Sequence, residues 1–281
     1  MTHDTASTAA STRDGLATIG PHLIELRTAL DERFTAWAAQ CGAAPYLYPP
    51  LMRVADLRRF DYFQNFPHLA ILGAPLSTDV QTAYAKDAGP GGQSVPAADL
   101  GPADYALPSA ACYNVYLALS GRRLEAAERI TTIATCFRRE KEYDGLNRLL
   151  GFTMREIVCV GGRDEVLDHL GGFKKLITGF LADLGLPVEV QAASDPFFDP
   201  NASRAVVAQL FPTKEEFVFD GSLAIGSLNF HRNFFGERCE ISTADGPAFT
   251  GCAAFGVERW ISALTRHFGE GPLELADRIR P

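Results

Sequence analysis

No stretch of this 281-residue chain approaches the roughly 20 consecutive apolar residues that a membrane-spanning helix needs, so no span is expected. The opening MTHDTASTAASTRDG lacks the apolar segment of a secretory signal and reads as a disordered leader, which points to a cytoplasmic protein. Cysteine is sparse and unpatterned. Cys41, Cys112, Cys136, Cys159, Cys239 and Cys252 form no CxxC pair and no disulfide framework, leaving reduced thiols, some of them available to a metal. Positive charge is in deficit. With 26 Lys and Arg against 34 Asp and Glu the net charge is −8, which argues against the broad basic face that nucleic-acid phosphates require. No internal repeat is found.

What is present suffices for one large or two modest domains with a real core, since 47% of the residues are hydrophobic and 10% aromatic. Residues 20–41 carry apolar side chains at helical spacing and stop at Gly42. YLYPPLM follows, its prolines ending whatever strand precedes them, and residues 86–107, rich in Gly, Pro, Ala and Asp, read as a long exposed loop. The β-branched run ITTIATCF predicts a buried strand, Asp144 and Gly145 a turn, and FTMREIVCV a returning strand, together an antiparallel hairpin. From Asp164, the expected cap, to Leu184, before a stop at Gly185, apolar residues recur at helical spacing. VEVQAA, EEFVFD, SLAIGSLNF and CEIST are strand candidates, and GVERWISALTRHF carries the last helix. Strands and helices without regular βαβ alternation predict an α+β fold with an antiparallel sheet flanked by helices.

One concentrated basic site exists, FRREK at 137–141. Arginine forks bind phosphate oxygens bidentately, and an aromatic ring on the returning strand can stack on a base, so the hairpin suits a nucleotide without any glycine-rich loop. The same residues also fit a hairpin whose charges are merely solvated. A second stretch, GCAAFGVERW at 251–260, sets Cys252 seven residues before Arg259 on an otherwise apolar run, either as a core thiol and a surface charge or as two ligating groups.

Three separated stretches together resemble the catalytic domain of class II aminoacyl-tRNA synthetases. GAAPYLYPPLM is similar to the first motif of that class, which ends in a proline at the dimer interface, here Pro49 or Pro50; FRRE with the loop to Phe152 resembles the second, and GVER at 256–259 the third. The resemblance covers roughly residues 20–270. It implies a catalytic domain over residues 19–281 with a helical insertion at about 163–186, a disordered leader over 1–18, and a homodimer. It also implies Arg138 on the α-phosphate of ATP, Glu140 on the adenine side, Phe152 stacked on adenine, and Arg148 and Arg259 towards the γ-phosphate, with Mg2+ accompanying ATP.

Within the class, GLNRLLGFTMRE resembles the seryl branch, which implies Glu156 in the amino-acid pocket. Residues four apart on a strand share a face, which puts Glu156 on the side of Phe152. PSAAC at 108–112 falls where that branch reads its substrate and GC at 251–252 immediately precedes the third motif, so Cys112, Glu156 and Cys252 are expected to converge. Two thiolates and a carboxylate make a three-ligand zinc shell with one position open. Zinc so held binds the substrate's amino group in the atypical seryl-tRNA synthetases of methanogens and in their relatives, the amino acid:carrier protein ligases. Cys136 is the rival thiol, although its neighbours suggest strand core.

Only a tail and one helix precede the first motif, where seryl-tRNA synthetases carry a tRNA-binding domain, and DPFF at 195–198 and AIGSLNFHRNFFG at 224–236 resemble segments of the carrier-protein ligases. The resemblance therefore implies ATP-dependent activation of a small amino acid, glycine or alanine, and its transfer to the phosphopantetheine thiol of a carrier protein. A truncated seryl-type synthetase and a non-catalytic paralogue are the alternatives. The sequence departs from the seryl pattern where a magnesium-binding glutamate is expected: Ala224 stands there, with Ser227 in the following serine position. Asn229 and His231 are expected beside Ser227 at the substrate, His231 alternatively as a structural hydrogen-bonder, and Asp220 and Glu240 are further carboxylate candidates. Lys174 and Lys175, a basic pair on the helix after Asp164, are the expected contact for an acidic carrier protein, or else solvate that helix's outer face.

Overall fold

The computed structural model describes residues 10–86, 94–202, 206, 213–269 and 271–281. Its first element corrects an expectation. Residues 10–18, read from sequence as part of a disordered leader, belong to a hairpin of β1 (Ala10–Arg13) and β2 (Leu16–Ile19). Asp14 and Gly15 take positive φ, 52° and 77°, as the two-residue turn between twisted strands requires. The hairpin is tied down because Gly15 accepts the Leu150 N–H at 2.8 Å and Ala10 and Ile19 pack on the main core. The rest of the expected leader, residues 1–9, lies outside the described residues.

Helix α1 (Pro21–Gln40) follows, burying Leu26, Leu30, Phe34 and Trp37 on the spacing read from the sequence. β3 (Ala44–Pro45) pairs in parallel with a later strand. β4 (Met52–Arg53), α2 (Val54–Arg59), α3 (Tyr62–Asn65), β5 (Ile71–Gly73), α4 (Gln81–Ala85), β6 (Tyr105–Leu107) and α5 (Tyr113–Ala118) form a smaller layer. Within the expected 86–107 loop, residues 87–93 lie outside the described residues, and its end is not loop: β6 is the central strand of a three-stranded sheet between β4 and β5.

The main sheet is built from β7 (Glu128–Phe137), β8 (Gly151–Gly161), β9 (Val188–Ala193), β10 (Lys214–Phe219), β11 (Leu223–Arg232) and, beyond α7 (Phe234–Cys239) and the short pair β12 (Ser242–Thr243) and β13 (Gly246–Pro247), β14 (Phe249–Gly256). Helix α6 (Arg163–Leu184) separates β8 from β9, and α8 (Val257–Phe268) and α9 (Pro272–Ile279) close the chain. Spatial order is β3, β7, β8, β14, β11, β10, β9, antiparallel throughout apart from β3, which is the α+β arrangement expected. The CEIST strand shrinks to Ser242 and Thr243, because Cys239 ends α7 and Glu240 closes that helix in the left-handed region.

The two faces of the sheet carry separate cores, as alternation along each strand demands. Ile157, Ala253 and Phe255 face α1, α6 and α8, whereas Val158, Cys252 and Ala254 face the smaller layer with Tyr116 and Phe235. Helix α6 is part of the first core, with Val166, His169, Leu170, Phe173, Ile177 and Leu181 buried. Its approach depends on Gly251, where a Cβ would sit 2.8 Å from Val166 Cγ1 and 3.0 Å from the Asn229 carbonyl. Asp164 lies in the first turn and is not the cap. Gly162 holds that place, its N–H donating to Glu165 at 2.8 Å, while Gly185 ends the helix at φ 71°.

Candidate active site

Alternation along β8 brings Phe152, Met154 and Glu156 to the face of the smaller layer, and the register extends rows across the sheet. Glu156 lies opposite Ala254 and Ala254 opposite Ser227; Val158 lies opposite Cys252 and Cys252 opposite Asn229. Cys112 comes from the other side, just before α5. One atom each of Cys112, Glu156 and Cys252 lie within 4.8 Å of one another, and all three residues are buried. They open onto a cavity of about 390 Å³ that also reaches Ser109, Asn229 and His231.

The cluster has the chemistry of a cation site. Glu156 Oε1 accepts the Ala111 N–H at 2.8 Å, but Oε2 is buried without a partner. The Cys112 thiol is pushed well above its ordinary value by its hydrogen bond to Cys252, by burial and by Glu156. The Cys112 hydrogen bond lowers the Cys252 thiol, yet burial and Glu156 outweigh it, and Cys252 too is raised. Three acidic groups converge at one buried point, within reach of one another, an arrangement that suits a divalent cation with soft and hard ligands. Asn229 Nδ2 donates to Ser227 Oγ at 3.0 Å and lies 3.5 Å from Cys252 Sγ, which orients that sulfur. His231 also takes a structural role, its Nδ1 being 3.2 Å from the Tyr116 hydroxyl and 3.3 Å from Thr250 Oγ1.

A second cavity lies beside the first, lined by Glu140, Arg148, Phe152, Glu216 and Arg259, and both are bordered by Arg138, Met154, Lys214, Ser227 and Ala254. Arg138 donates through Nε and Nη2 to the Ser109 carbonyl at 3.1 and 3.0 Å, its guanidinium 5.1 Å from the centre of the Phe152 ring. Arg259 donates to the Asn147 carbonyl at 2.8 Å and the Ala224 carbonyl at 3.0 Å. Burial and the nearby Arg138 and Arg148 lower its pKa, a clustering of cations that a polyanion relieves. The residues around the third-motif arginine brace this groove: Glu258 accepts the Thr153 N–H at 2.8 Å, and Ser262 donates to Asn147 Oδ1 at 2.6 Å.

Cys112, Arg138, Glu140, Arg148, Phe152, Glu156, Ser227, Asn229, His231, Cys252 and Arg259 each line one of two adjoining cavities, whereas Pro49 and Pro50 of the first motif line neither. Cys136, the rival thiol, does not join the cluster; it is fully buried opposite Phe152 on β7. Asp220 pairs with Arg266 at the surface, Glu240 caps α7, and neither lines either of these two cavities. Ala224 lines the second cavity and offers its carbonyl to Arg259. Lys174 is held by Glu215 at 2.6 Å, so only Lys175 of the pair is left on the exposed face of α6. Sequence reasoning missed Asn147, the clamp of the motif loop, and Lys214 and Asp195, which meet across the first cavity at 3.2 Å. Asn147 sits inside the quoted GLNRLLGF loop; Lys214 carries no local signal, since only strand pairing brings it near.

Residues 101–268 match the family model described as tRNA synthetase class II core domain (G, H, P, S and T). Amino acid–acyl-carrier-protein ligase 1 of Bradyrhizobium diazoefficiens is 34% identical over 294 residues, covering 95% of this chain and 88% of that protein. Ligase 2 of the same organism is 34% identical over 239 residues, covering 79% and 69%. Among solved structures, the seryl-tRNA synthetase of M. kandleri, in complex with A. aeolicus tRNASec, superposes with a TM-score of 0.79 at 20% identity. That superposition covers 96% of this chain and 57% of the synthetase, so the chain spans little more than half of that protein's length. The fold is that of the class II catalytic domain, and the chain belongs to the amino acid–acyl-carrier-protein ligases, enzymes of the ligase class built on the class II tRNA synthetase core.

Proposed function

We propose that this protein uses ATP and Mg2+ to activate a small amino acid, glycine or alanine, as an aminoacyl-adenylate in the cytoplasm. It then passes the aminoacyl group to the phosphopantetheine thiol of a small carrier protein. One observation carries this reading: the Cys112, Glu156 and Cys252 cluster opens into one cavity, the arginine groove forms the next, and Arg138 borders both. An amino acid held at the cluster presents its carboxylate where an α-phosphate meets Arg138.

Cys112, Glu156 and Cys252 would hold zinc, which would supply a Lewis acid for the substrate's α-amino group. Ser227, Asn229 and His231 shape that end of the cavity. Phe152 stacks on adenine with Glu140 on the adenine side, and Arg148 and Arg259 hold the outer phosphates. A carboxylate oxygen bonds to the α-phosphorus, the bond to the β-phosphate oxygen breaks, and pyrophosphate leaves. Arg138 offsets charge on the α-phosphate through the step. A thiolate then bonds to the carbonyl carbon and AMP departs.

The net charge of −8 favours a protein acceptor over tRNA. A homodimer is supported by the sheet edge, where among the described residues β3 pairs on one side only and Tyr46, Leu47 and Leu51 beyond it are exposed, Leu47 to 84%. The deciding experiment is pyrophosphate exchange across the twenty amino acids, followed by transfer of label to a phosphopantetheinylated carrier protein or to tRNA. Exchange with glycine or alanine and label on the carrier is expected. Label on tRNA alone, or no exchange with any amino acid, overturns the reading.

A further inference from the structure

Two cations border both cavities among the described residues, Arg138 and Lys214. They approach from opposite sides: Arg138 follows β7, Lys214 opens β10, and β8, β14 and β11 lie between those strands. The register places Lys214 opposite Asn229 and Asn229 opposite Cys252, so its side chain rises from the same row as the metal-ligand cluster. That side chain is only 18% exposed. It is aimed by two carboxylates, Asp195 Oδ1 at 3.2 Å and Glu216 Oε1 at 3.0 Å, one lining each cavity. Two acids around one lysine hold its ammonium at the boundary of the cavities, which a merely solvated surface lysine does not need.

We propose that Lys214 is a catalytic residue whose ammonium contacts the α-phosphate of ATP and of the adenylate from the side opposite Arg138, an inference that rests on the reading above. In that reading the first step drives one anion, the carboxylate, onto another, the α-phosphate. Their repulsion is greatest at the boundary between the cavities, where a second fixed cation adds to the stabilisation that Arg138 supplies. Lys214 gains and loses no proton: the carboxylate oxygen bonds to phosphorus, pyrophosphate departs, and the ammonium persists. Asp195 and Glu216 hold the ammonium before the ligand arrives, which is preorganisation of the kind that costs nothing at the moment of reaction.

The test compares AMP with adenosine, ligands that share the base and sugar and differ in the phosphate, by calorimetric titration of the purified protein and its variants. Lys214→Met is expected to weaken AMP about ten- to hundredfold, the range for a lost charged hydrogen bond, with adenosine affinity held within about twofold. An AMP-to-adenosine ratio equal to wild type in Lys214→Met overturns the proposal, since a residue that only holds Asp195 and Glu216 leaves that ratio alone. If Lys214→Met does not fold, Lys214→Arg and Lys214→Gln decide: the ratio kept by Arg and lost by Gln supports the contact, and equal ratios overturn it. The binding ratio is independent of turnover, so a failure of pyrophosphate exchange in the wild type tests the proposed reaction separately.

Discussion

Glu156→Gln separates a metal site from an ordinary buried carboxylate because it is expected to move stability in opposite directions with and without zinc. The substitution preserves volume and leaves an oxygen to accept the Ala111 N–H, while the partnerless Oε2 becomes an amide donor facing two sulfurs. A buried polar atom without a partner costs about 1–3 kcal/mol, so in excess chelator the variant is expected to be the more stable protein by that order. At about 2–4 °C per kcal/mol in a chain of this size, its melting temperature rises by several degrees. With free zinc at about 1,000 times the dissociation constant, wild type gains about 4 kcal/mol. The variant, lacking the anionic ligand, binds about a hundredfold more weakly and forgoes about 2.7 kcal/mol of that gain, so the order inverts for any advantage in chelator below that figure. Scanning calorimetry of both proteins in chelator and in zinc, with metal content measured by mass spectrometry, reads the whole pattern. A variant that keeps about one zinc per chain, or a wild-type melting temperature indifferent to zinc, would refute the reasoning.

Arg259→Ala removes the bonds to Asn147 and Ala224 that hold the motif loop to β11 as well as a phosphate contact, so pyrophosphate exchange should fall about a thousandfold with zinc content unchanged. Retained exchange removes its role. Leu47→Asp places a charge on the exposed edge beside β3 and should convert a dimer to a monomer in sedimentation; an unchanged mass puts the interface elsewhere. Lys175→Glu, which spares the Lys174–Glu215 pair, should slow transfer to the carrier without altering pyrophosphate exchange, and equal transfer rates place docking off α6. His169 is held down at about 4 from 6.5 by burial, with a further push from Arg129, against the pull of its bond to the Ile157 carbonyl. Its folded value lies below the unfolded one, so the stabilisation is complete above about pH 6.5 and is lost as pH falls towards 4. The loss is about 3 kcal/mol. His169→Gln should flatten that stretch of the urea-unfolding curve against pH, and an unaltered slope rejects the assignment.

Local chemistry carried much of this protein. The periodicity of α1, α6 and α8 and the β-branched runs of β7 and β8 are properties of short windows, readable because burial imposes periods of 3.6 and 2 on any chain that folds. The position of Glu156 on the face of Phe152 was legible for the same reason, both lying on one strand, whereas the FRRE cluster and Arg259 were assigned through the resemblance to the class II motifs. The hairpin at residues 10–19 was missed because its strands are polar and short, and only contact with Leu150 and the core holds them. Helix α6 read as an insertion because it interrupts the order of strands, yet its seat on Gly251 makes it part of the main core. Convergence is what a linear chain cannot display. Cys112 and Cys252 are 140 positions apart and meet Glu156 only because β8 and β14 are neighbours and the turn before α5 lies over them. Lys214 has no motif around it, and it reaches the boundary of the two cavities solely through the pairing of β10 with β11, a register set by which face of every strand is buried.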